Sequence, residues 1–203
     1  MKMIRRLFIT VLILLISASV AEAQNDYYSF YEKSVSINNT GMYVLGSWAI
    51  ANIAVGAYGW ANNTGQSKYF HQMNLFWNTV NLSIAGFALY SNFTSDFASI
   101  TGHQLLQKHI KTENLYIINA GLDVLYIGTG FFLKNYAIKK KQKHDLLTGY
   151  GNSVILQGSF LLLFDLIMAG IQQNHRLSFI KNINIFYQPD FDAMQVAFTI
   201  PIN

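Results

Sequence analysis

Asp123 stands near the middle of an apolar stretch running from about Glu113 to Leu133, and no lysine or arginine lies in that stretch or in the three others like it. A carboxyl at the centre of a bilayer costs about 2.5–3.5 kcal/mol on insertion scales, so it should turn inward and find hydrogen-bond partners. Asn52, Asn81 and Gln157 fall at similar depth in the other three stretches. Asn52 and Asn81 can each donate through an amide, which leaves Asp123 as the natural acceptor. His71, Asn74, Asn78 and Asn81 follow one another at three, four and three residues and so share one helix face. Thr148 and Asn152 form a shorter stripe of the same kind. The candidate polar core is therefore Asn52, His71, Asn74, Asn78, Asn81, Asp123, Asn152 and Gln157. Two kinds of chemistry fit it. One is interhelical hydrogen bonding, at about 0.6 kcal/mol per polar contact inside a membrane. The other is a vestibule through which a solute or proton reaches Asp123.

Catalytic chemistry has little behind it. His103, His109, His144 and His175 show no metal-ligand spacing with a carboxylate, and no nucleophile-elbow or paired-histidine zinc motif occurs. None of the glycines has the strand–loop–helix context of a phosphate loop. The absence of cysteine excludes disulfides, thiolate metal sites and thiol nucleophiles. The expectation is a protein that is not an enzyme and carries no metal or cofactor.

The elements that position these residues follow from composition. Of 203 residues, 52% are hydrophobic and only 12% charged, with a mean hydropathy of +0.24. A soluble domain carries about 25% charged residues. The aromatic share of 15% is also high. This points to a bilayer and away from disorder, a disulfide scaffold or an ordinary soluble enzyme. The net charge of +4 falls to +2 when Lys2, Arg5, Arg6 and Glu22 leave with a cleaved leader, and scattered lysines of this kind give no basic face for nucleic acid. Residues 1–23 read as that leader: a basic start, an apolar core from Leu7 to Val20, and Ala21-Glu22-Ala23 before the cut.

Four stretches of about 20 residues match a hydrocarbon core of about 30 Å: 41–61, 70–92, 113–133 and 148–171, the second diluted by its polar stripe. Residues 24–40 form an exported segment, with Tyr27, Tyr28, Phe30 and Tyr31 as aromatics suited to the headgroup level. With the mature N-terminus outside, the loop carrying Lys134, Lys139, Lys140, Lys141 and Lys143 lies inside, where the positive-inside rule wants it. The same cluster could instead attract anionic lipid or a partner. Residues around 94–111 read as a short amphipathic helix lying on the outer surface. In the tail, 172–203, Ile183, Ile185 and Tyr187 alternate with polar or turned-away positions, as do Met194, Val196, Phe198 and Ile200, about a Pro189-Asp190 turn. This predicts an exported β-hairpin. Asn78-Thr79-Val80 echoes Asn152-Ser153-Val154, and Tyr43-Val44-Leu45 echoes Tyr116-Ile117-Ile118, which suggests a tandem repeat of two-helix units.

The fold expected is an all-α membrane protein, a four-helix transmembrane bundle over 41–171 with a C-terminal β-hairpin outside the membrane. The stretch 41–92, with Leu45-Gly46-Ser47-Trp48-Ala49, Tyr69-Phe70-His71-Gln72-Met73-Asn74 and Trp77-Asn78-Thr79-Val80-Asn81-Leu82, resembles an uncharacterised family of small membrane proteins from Gram-negative bacteria of the Bacteroidota type. The resemblance implies no activity. The expected place is the inner membrane, multi-pass, with both mature termini periplasmic. The expected partners are the lipid bilayer and a protein bound through the exported tail, without nucleic acid; self-association is left open. The expected role is structural or in assembly, with the alternative of a small-solute or ion transporter using the polar layer around Asp123.

Overall fold

The computed structural model describes residues 2–97 and 99–186, with side chains described over 24–97 and 99–181. Four helices follow one another: α1 Lys2–Asn62, α2 Gly65–Thr94, α3 Gly102–Ile138 and α4 His144–Phe186, with a 3-10 turn at Lys141–Lys143 before α4. Two-residue and five-residue connections at one end force antiparallel pairing, α1 with α2 and α3 with α4. The pairs join mainly through α2 and α4, and α1 touches α3 and α4 more sparingly.

Glycine sets how closely the helices approach. A Cβ on Gly130 would lie 2.7 Å from the carbonyl oxygen of Gly151, and one on Gly149 would lie 2.5 Å from that of Gln66. Both obstacles are backbone, so α3 meets α4, and α4 meets α2, where no side chain fits. The buried apolar cluster sits above these crossings and includes Met42, Leu45, Ala85, Tyr116, Phe164 and Met168.

Helices α1, α3 and α4 are each long and apolar enough to cross a membrane. Helix α2 is not among them. Its composition is diluted by Asn74, Asn78 and Asn81, yet all three are buried while Phe76, Val80, Ile84, Phe87 and Tyr90 face outward. The surface α2 presents is thus more apolar than its sequence average.

The helix ends are level at the lysine-rich end and uneven at the other. Past the end of α2, α1, α3 and α4 continue as a three-helix extension. This corrects two expectations. The segment around 94–111 is not a separate helix on the membrane surface: from Gly102 it is the first part of α3, started by a capping box between Thr101 and Gln104. The β-hairpin is also overturned. Ile183 and Ile185 lie in the last turns of α4, and no strand occurs among the described residues. Five alternating residues cannot compete with extending a helix already formed, which adds a hydrogen bond for each residue fixed. Met194, Val196, Phe198 and Ile200 lie outside the described residues. Of the aromatics expected at the interface, Phe30 is buried in the extension and Tyr27 packs edge-on against Phe179.

Candidate functional site

Helix α2 carries the spine of the polar core. Its Asn74 donates from Nδ2 to Oδ1 of Asn52 on α1 at 3.0 Å and to the Asn52 carbonyl at 3.2 Å. Asn52 Nδ2 donates in turn to the Trp48 carbonyl at 2.8 Å. From α4, Gln157 Nε2 donates to Asn74 Oδ1, and Gln157 Oε1 accepts from Trp48 Nε1 at 3.0 Å. The bonds close a circuit Trp48–Asn52–Asn74–Gln157 that ties three helices together. The Trp48 ring is fixed by stacking on Phe160 at 3.9 Å between centroids. Asn78 extends the spine by donating to the Asn74 carbonyl at 2.8 Å, and Asn81 reaches Asn78 Oδ1 at 3.5 Å, the far limit of a hydrogen bond.

Asp123 is inside the bundle at 2% exposure. Its partner differs from the expected one. The amides of Asn52 and Asn81 are engaged in the asparagine spine, and the carboxyl of Asp123 instead meets that of Asp165 on α4, close enough to hydrogen-bond. A bond between two carboxyls needs one proton between them. Beyond that pair, Asp123 Oδ2 has no hydrogen-bond partner among the described residues.

His71 and Asn152 do not join the circuit. The His71 ring presses on Gly59, where any Cβ would collide with it, and its Nδ1 is buried without a partner among the described residues. Asn152 is half-buried, and Thr148 Oγ1 is a buried atom with no partner among the described residues. The eight candidates therefore divide. Asn52, Asn74, Asn78, Asn81 and Gln157 form one network; Asp123 belongs to a carboxyl pair; His71 and Asn152 stand apart.

A second polar cluster lies in the three-helix extension, and the sequence reading passed over it. His109 is fully enclosed at 0% exposure. Its Nδ1 lies 2.7 Å from Ser34 Oγ, and its Nε2 lies 3.2 Å from the Gln172 carbonyl and 3.8 Å from Glu113 Oε2. The carbonyl can only accept, so in the neutral ring Nε2 carries the proton and Nδ1 accepts from the Ser34 hydroxyl. Arg176 grips Glu113 with two bonds, 2.8 Å from Nε and 3.0 Å from Nη2. That pairing raises the already high Arg176 pKa. Burial pushes His109 down to about 4, helped by His175 and Arg176 and opposed by Glu113 and the Gln172 carbonyl. Phe30 stacks on His175 at 4.6 Å and tilts against His109 at 4.8 Å. A serine, a histidine and a carboxylate in sequence suggest nucleophilic catalysis, but Ser34 is 3% exposed and its hydroxyl has no approach for a substrate. The spacing that would have revealed the cluster is Leu105, His109, Glu113, Tyr116, Ala120 and Asp123, one continuous face at four, four, three, four and three residues.

The molecule is thus a helical bundle with three helices able to cross a membrane and a polar network inside it. The profile of a family of unknown function, DUF6992, matches residues 44–166, and the chain belongs to that family. The matched stretch contains the whole Trp48–Gln157 circuit and both Asp123 and Asp165; Ser34, Gln172 and Arg176 lie beyond it. No curated protein and no solved structure matches the chain.

Proposed function

We propose that this is a four-span inner-membrane scaffold without catalytic activity. Its lysine-rich end faces the cytoplasm, its three-helix extension and C-terminal segment face the periplasm, and it binds a partner protein there. The observation that carries the structural reading is the closed circuit of Trp48, Asn52, Asn74 and Gln157. Polar groups that hydrogen-bond one another across helices stiffen a bundle and are less available to a passing solute. Tandem duplication of a two-helix unit belongs to the same proposal.

A second reading rests on one different observation: Asp123 Oδ2, buried beside Asp165 and without another partner among the described residues. An intramembrane carboxyl of that kind could serve a proton or ion path. Proteoliposomes separate the two. The scaffold reading expects vesicles holding the protein to keep an imposed proton or sodium gradient as long as empty ones do, and Asp123→Asn to change nothing. It also expects a photocrosslinker placed beyond residue 186 in native membranes to give one discrete adduct, lost when 187–203 are deleted. A gradient that collapses with wild type and survives with Asp123→Asn would establish the path and overturn the scaffold. Reporter fusions after Lys143 and Asn203 should fall in opposite compartments.

A further inference from the structure

We propose that the lysine-rich end of the bundle holds a binding site for the phosphate headgroup of an anionic membrane lipid. The inference goes beyond the scaffold role but rests on the chain being embedded in a bilayer. A cleft of about 360 Å³ opens there between the α1–α2 turn and the start of α4. Lys68 and Tyr69 of α2 line it from one side, and Gln142, Lys143 and Asp145 from the other. The same end carries Lys134, Lys139, Lys140 and Lys141. Asp145 is the only carboxylate in residues 62–69 and 134–147 to set against six lysines. At the opposite end the charges are mixed, with Asp26, Glu32, Asp96 and Glu113 among Lys33, Lys108, Lys111, Arg176 and Lys181.

Depth and arrangement both favour lipid. At about 1.5 Å per residue, Lys68 lies about 3 Å and Lys143 about 8 Å beyond the apolar stretches that begin near Phe70 and Thr148, which is the depth of the headgroup layer. Tyr69 and Tyr136 stand at the same level, and the Lys140 ammonium sits 5.5 Å from the centre of the Tyr136 ring. Amphipathic aromatics of this kind belong at the membrane–water interface. A topology signal needs only a count of lysines in one loop. It does not require Lys68, from a different loop, to face Lys143 across a cleft. That convergence is what a single phosphate would use, with ammonium groups as point charges on either side. Asp145 does not fill the role: it lies in the first turn of α4 beside His144, 3.3 Å away.

Full-length protein purified in neutral detergent tests this, with dioleoyl phosphatidylglycerol, dioleoyl phosphatidylcholine and inorganic phosphate as separate probes and binding read by native mass spectrometry and thermal shift. Phosphatidylglycerol should bind and stabilise; phosphatidylcholine and inorganic phosphate should do neither at equal concentration. Each lysine near a charged surface contributes about fivefold, so Lys68→Gln with Lys143→Gln should weaken phosphatidylglycerol binding about 25-fold. Lys68→Arg with Lys143→Arg should retain it, and Lys33→Gln with Lys108→Gln at the other end should leave it unchanged. Circular dichroism confirms that each variant is folded. Equal binding of the two lipids, an unaffected glutamine pair, or equal stabilisation by inorganic phosphate would overturn the site. Extraction of the protein by alkaline carbonate would instead refute the membrane reading beneath it.

Discussion

Acid should loosen the three-helix extension before it loosens the rest of the bundle. His109 is neutral at pH 7 because burial, His175 and Arg176 push it from 6.5 down to about 4. When the extension opens, the ring returns to water and its ordinary pKa. The opened state then binds more protons than the closed one between those two values, so stability is full above about pH 6.5 and falls as pH falls. With each pKa unit worth about 1.4 kcal/mol, the loss at pH 5 is about 2 kcal/mol, an upper figure because His175 and Arg176 beside it are partly open to solvent. That is about a 30-fold loss of protection against opening. Hydrogen exchange followed by mass spectrometry, corrected for intrinsic rates, should show it between pH 7.5 and 5 in peptides from 24–40, 102–112 and 172–181, with 65–90 unchanged. His109→Gln cannot take up the proton. It should be less protected at pH 7.5, having lost the bond to Ser34, but nearly flat across the same range. A slope in His109→Gln as steep as in wild type would refute the assignment to His109.

The remaining predictions concern packing and the polar circuit. Gly130→Ala should cost about 1–3 kcal/mol, because the added carbon meets the backbone of Gly151 and Ile155; Gly121→Ala and Gly128→Ala have open space and should be neutral or stabilising by up to about 1 kcal/mol, all read as melting temperature in detergent. Gln157→Leu removes the link between Trp48 and Asn74 and should cost about 1–2 kcal/mol, near the upper end for polar contacts inside a membrane. The Trp48 fluorescence signal should also shift as its ring nitrogen loses its acceptor.

Much of the bundle could be read from hydropathy, because the length of the apolar runs and the polar spacing within them follow the helix repeat. Asn74, Asn78 and Asn81 declared their shared face through spacing alone. The same pattern could not say which helix they would meet. Similar depth along the helices pairs Asp123 with the asparagines, yet depth fixes height and leaves rotation open. Rotation is set by the glycine crossings, where Gly130 and Gly151 bring α3 onto α4 and turn Asp123 toward Asp165.

The extension was missed for a different physical reason. Cutting helices at an expected membrane boundary assumes that they stop there, and here they do not. Leu105, His109, Glu113 and Tyr116 keep helical spacing across the expected boundary, as do Phe164, Met168, Gln172 and His175. Outside the bilayer a helix persists only if packing holds it, since isolated helices in water are marginal. Much of the packing here is polar: beside Phe30 and Leu105, the Ser34–His109–Gln172 contacts and the Glu113–Arg176 pair stand where further apolar residues would have announced a core. A hydropathy reading gives such residues to loops. Their periodicity, four and three residues apart on α3 and on α4, places them in one buried interface, where burial holds the His109 pKa below its ordinary value.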